Sequence, residues 1–138
     1  MSPVLSDRSR QRLSRSLPLV QAHKHDLIDR MQAGLAIADP DQKAGQSEIN
    51  AMLLVEMLIS QVRHMLDTGE LDSVAPIARE HSEQHITGRT YSRFGDLLVP
   101  ILRDVLGANL PIAVPGAWVD AFWTVVRAVT AQPALEPA

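Results

Sequence analysis

Apolar side chains recur three and four positions apart along most of this chain, the spacing of helices rather than strands. The clearest stripe runs through a helix from His25 to Ile37, where Leu27, Ile28, Met31 and Leu35 share one side and Asp29, Arg30 and Gln32 fall between them. A helix before it opens at Ser6 as N-cap, carries Leu13, Leu17 and Val20 on its inner side, and is expected to break or kink at Pro18. Asp39-Pro40-Asp41 ends the second helix and starts a polar connector through Gly45 and Gln46. Ser47 then reads as the N-cap of a third helix reaching about Leu66. Its apolar residues, from Ile49 and Met52 through Val55 and Leu58 to Val62, cover far more than one stripe. That breadth marks a central helix able to touch both of its neighbours and a flat ligand.

Asp67-Thr68-Gly69 reads as a turn, after which Asp72 or Ser73 caps a fourth helix with Pro76 in its first turn. The fold class is therefore all-α, in one domain spanning 1–138 with short flexible ends at about 1–5 and 132–138.

Composition narrows the chemistry. Hydrophobic residues make up 46% of the 138 positions but aromatic ones only 4%, so aliphatic side chains carry the packing. A net charge of −3 offers no general attraction to phosphate backbones, which argues against nucleic acid as a partner. The absence of cysteine excludes disulfides, thiolate catalysis, iron–sulfur clusters and thioether-linked haem. The first residues, MSPVLSDRSRQRL, are charged where a signal peptide needs an apolar stretch, and no run reaches the roughly 18 apolar residues of a membrane span. A cytoplasmic protein with no membrane partner is the expectation.

The fourth helix holds the first candidate chemistry. His81 follows Val74, Ile77 and Ala78 by seven, four and three residues, so it shares their inner face and not the face of Arg79 and Glu83. An inward imidazole can be a core group bonded to a backbone carbonyl, or a ligand. Zinc between His81 and His85 is a weak reading, since HSEQH lacks the placed glutamate of HExxH and a third ligand.

The longer context favours a ligand. The stretch H-S-E-Q-H-I-T-G-R-T-Y-S-R-F-G resembles bacterial globins, namely the globin domain of flavohaemoglobins and the single-domain haemoglobins, in which a proximal histidine precedes a tyrosine by ten residues and a glycine by fourteen. His81, Tyr91 and Gly95 keep both intervals. Gly95-Asp96-Leu97-Leu98 and the run Leu102 to Gly107 resemble the family's next helix and its glycine end, and after a loop containing Pro111 and Pro115 the run Ala117-Trp118-Val119-Asp120-Ala121-Phe122-Trp123 resembles its last helix, so that the resemblance covers roughly residues 71 to 130. It implies a globin-like helical fold and a non-covalent haem b with His81 as the iron ligand. Tyr91 becomes the partner of His81. The flat faces of the macrocycle fall to Leu53 and Met57 of the third helix, with Met52 and Val55, and to Phe94 and Leu98 of the fifth, with Val99 and Leu102. Gln32 and Asn50 are the candidate donors on the sixth-coordination side, and Arg89 or Arg93 could pair with a propionate.

Two departures stand out. Gln32 aligns where oxygen-binding relatives carry a distal tyrosine, and no phenylalanine lies between Pro40 and Ser47, in a connector shorter than the usual one. The reading that results is a haem-binding globin, not an enzyme, which takes up a diatomic gas reversibly as a carrier or sensor and could form a homodimer. The rival is a haem-free globin-like signalling or interaction module with an apolar cavity.

Overall fold

The computed structural model describes residues 5–107 and 109–132, which form six helices and, among the described residues, no strand. These are α1 (Asp7–Ala22), α2 (Lys24–Ala38), α3 (Gln46–Thr68), α4 (Ala75–Glu83), α5 (Gly88–Leu106) and α6 (Ala113–Thr130). None of them is long and apolar enough to cross a membrane.

The ends of these helices show where local signals held and where packing overrode them. Ser6 caps α1 as expected, its hydroxyl accepting the Ser9 N–H at 3.2 Å. Pro18 does not end that helix. It is exposed, and the face that carries Leu13, Ser16 and Val20 stays buried on both sides of it, so tertiary contact holds the turn that lacks its backbone bond. The break falls instead at His23, and α2 begins one residue later. The third helix starts at Gln46 rather than after Ser47. Gly45, at φ 84°, makes the entry in a left-handed conformation, and the Ser47 hydroxyl donates to Gln42 Oε1 at 2.8 Å. Neither Asp72 nor Ser73 caps α4, whose N-cap is Val74. Asp72 accepts the Ser73 N–H through its carboxylate and donates its own N–H to Gln61 Oε1, which ties the connector to α3. Pro115, expected in a loop, lies in the first turn of α6, where its missing N–H has no intrahelical partner to lose. Leu5 is buried, and Gln132 donates to the Ala128 carbonyl; residues 1–4 and 133–138 lie outside the described residues.

Helices α1 and α2 both pack on α3, α5 packs on α2 and α6, and α4 leans on α6. Phe94, Trp118 and Phe122 are fully enclosed at the centre, with the Phe94 and Phe122 rings 4.7 Å apart. The Trp118 indole N–H donates to Ser16 Oγ at 2.8 Å, so the one polar atom of that side chain is satisfied inside the core. Helices α5 and α6 meet closely because Gly95 has no side chain. A Cβ there would stand 2.8 Å from Trp123 Cζ2. Gly95→Ala gains about 1 kcal/mol of helix propensity but overpacks the contact by about 1 to 3 kcal/mol. The expected outcome is a net loss of up to about 2 kcal/mol in a urea titration; a stabilised variant would mean that Trp123 swings aside freely.

Candidate functional site

Helix α4 runs back along α3. At one end of the pair Gln61 holds Asp72, and at the other Gln46 Nε2 donates to the Gln84 carbonyl at 3.2 Å. Between these two ties lies a groove of about 270 Å³. Leu53, Glu56, Met57 and Ser60 line it from α3, and Ile77, Glu80 and His81 from α4. Both sets follow the three-and-four spacing that brings residues onto one helix face.

His81 is 2% exposed, and its Nδ1 lies 2.7 Å from the Tyr91 hydroxyl. Tyr91 is itself buried against Phe122, at a ring separation of 6.4 Å. No described residue bonds the other ring nitrogen of His81. His81 itself is on the lining of the groove. Burial lowers the His81 pKa to about 4 and raises that of Tyr91 to about 12, because each charged form would lose its hydration. At neutral pH the pair is an uncharged imidazole and an uncharged phenol. With the proton on Nδ1, the ring donates to the Tyr91 oxygen and leaves a lone pair on Nε2; with the other tautomer, Tyr91 donates to Nδ1.

Leu53 and Met57 therefore come together with His81 and Tyr91. The other expected site residues lie elsewhere than on the groove lining. Phe94 and Leu98 are core residues, Phe94 stacked on Phe122. Asn50 is buried, and its Oδ1 accepts from Gln46 Nε2 at 2.8 Å; Gln32 is half-buried on α2. Met52 points outward at 45% exposure and makes no wall. Arg93 is partly engaged, its Nη1 donating to the Ala38 carbonyl at the end of α2. His85 is exposed, and no group of three or more histidines and carboxylates able to hold a metal occurs among the described residues.

The sequence reading missed the carboxylates at the rim, Glu56 and Glu80, and the Gln46 tie. Glu56 lies three residues beyond Leu53, so helical spacing could have shown it. Lys24 neutralises it, with Nζ 2.7 Å from its carboxylate. No signal along the chain links Gln46 to Gln84, thirty-eight residues away.

No known protein family, curated protein or solved structure matches the chain.

A neutral imidazole on a helix, held through Nδ1 and on the lining of a partly apolar groove, is the kind of donor that a haem iron takes. The volume of the groove lies just below the roughly 300 to 1,000 Å³ usual for pockets that enclose organic ligands.

Proposed function

We propose that this chain is a globin-like haem protein that takes up a diatomic gas reversibly, as a carrier or a sensor, with His81 as the protein ligand to iron. The observation that carries the reading is the buried, uncharged His81, held by Tyr91 at Nδ1 and on the lining of the groove. It agrees with the intervals from His81 to Tyr91 and Gly95 on which the resemblance to bacterial globins rests.

The bound haem would supply the metal that takes the gas. The chain's own part is to present Nε2, to fix the ring by accepting the Nδ1 proton on the Tyr91 oxygen, and to keep water from the flat faces with Leu53, Met57 and Ile77. Without cysteine the haem b is held non-covalently. The reading assigns no catalytic turnover and places the protein in the cytoplasm.

Titration of the purified protein with hemin tests it. A sharp Soret band is expected at one equivalent, lost in His81→Ala. Tyr91→Phe removes the orienting oxygen and should weaken haem affinity by about 10- to 100-fold. A wild-type ferrous spectrum in His81→Ala would remove His81 as the ligand.

A second reading is favoured by the bond from Gln46 to Gln84, which ties α3 to α4 across the end of the groove. It is a haem-free interaction module of the same architecture. No Soret band in the wild type or in Gln46→Ala, where that tie is cut, would select it.

A further inference from the structure

A second groove, of about 360 Å³, lies where α1 meets the segment leading into α6. Arg12, Arg15 and Leu19 line it from α1, and Leu110, Pro111 and Val114 from the other side. The three α1 residues share a helix face by their spacing. Apolar surface here remains in water: Leu19 is 41% exposed, and Ile112, next to Pro111, 59%. The Ser16 hydroxyl on the lining is already engaged, accepting from the Trp118 indole and donating to the Arg12 carbonyl.

The polar groups left for a ligand are two guanidiniums. Neither Arg12 nor Arg15 has an ion-pair or side-chain hydrogen-bond partner among the described residues, and no aspartate or glutamate lines the groove. Unpaired cationic forks beside an apolar trough complement a molecule with one anionic head and an apolar tail. A carboxylate suits them best, because its two oxygens match the planar guanidinium fork.

We propose that this groove binds a free single-chain carboxylate of medium length, its head on Arg12 and Arg15 and its chain along Leu19, Leu110 and Val114. A bilayer is a poorer occupant. The whole chain carries a net charge of −3, and two arginines supply little of the basic charge that holds a protein on an anionic surface. The site is separate from the His81 groove and does not depend on haem.

Calorimetric titration of the full chain with decanoate provides the test, with acetate and decan-1-ol as controls for the chain and the charge. Decanoate is expected to bind and acetate not to. The double variant Arg12→Gln/Arg15→Gln should weaken decanoate by about tenfold or more while leaving the weaker binding of decan-1-ol unchanged. Val114→Asp, which puts a carboxylate into the trough, should weaken decanoate as well, with helical circular dichroism confirming that the variants fold. Methyl NMR shifts on addition of decanoate should centre on Leu19, Leu110 and Val114. Full affinity in the double variant, or shifts centred on Leu53 and Ile77, would overturn the proposal. So would binding to phosphatidylglycerol vesicles with no binding of monomeric decanoate, which would make the face a membrane-contact surface.

Discussion

Trp118→Ala should lower the free energy of unfolding by about 3 to 5 kcal/mol, the usual cost of deleting a large aromatic from a closed core. The indole is fully buried between α1 and α6, and neighbouring side chains cannot fill so large a void by relaxing. Domains of this size are stable by only about 5 to 15 kcal/mol, so the variant would lose much of its margin. Two milder changes keep the test readable if it fails to fold. Ser16→Ala leaves the indole N–H buried and unpaired, at a cost of about 1 to 3 kcal/mol. Trp118→Phe keeps most of the volume and should fall between that value and the alanine variant. The measurement is the urea midpoint at constant slope; a loss below about 1 kcal/mol in Trp118→Ala would place the indole at the surface.

Acid should destabilise the fold through His81 in a defined window. In the unfolded chain this imidazole takes up its proton near pH 6.5, but in the fold burial holds it neutral down to about pH 4. Between those values the unfolded state binds the extra proton, so stability is complete above pH 6.5 and falls as the pH drops toward 4. The full difference corresponds to about 3 kcal/mol. Carboxylates also titrate near the lower end, so the informative quantity is the difference between wild type and His81→Gln, which fills the site without a titrating group. That difference should grow as the pH falls from 6.5 to 4. Parallel curves for the two proteins would show that the imidazole is hydrated in the fold, and the argument for an enclosed neutral ligand would fail with it.

Much of this architecture is legible along the chain, and the misses have identifiable causes. The stripe of Leu27, Met31 and Leu35 places α2 to within a residue of its ends, because an amphipathic helix flanked by Asp39-Pro40 is a local matter. The inward aim of His81 follows from its offsets to Val74, Ile77 and Ala78 in the same way, and Tyr91 was reachable through its ten-residue interval. Pro18 misled because its effect on a helix depends on which side of the helix it faces, and here the buried side is elsewhere. Met52 misled because a helix apolar nearly all round does not reveal which edge its neighbours leave uncovered. Phe94 and Leu98 are buried, Phe94 against Phe122, a packing that their helical spacing alone does not distinguish from a ligand slot.

Periodicity alone therefore settles the all-helical class and most of the buried face, His81 included, since both follow from a repeat of 3.6 residues that each helix carries within itself. Contacts between helices are another matter. That Gln46 reaches Gln84, that Trp118 finds a partner in Ser16 one hundred and two residues earlier, and that Arg12 and Arg15 flank an apolar trough all depend on how the helices cross. Crossing angles come from the fit of side-chain ridges over the whole core and from the path of the connectors, neither of which is written in any one segment.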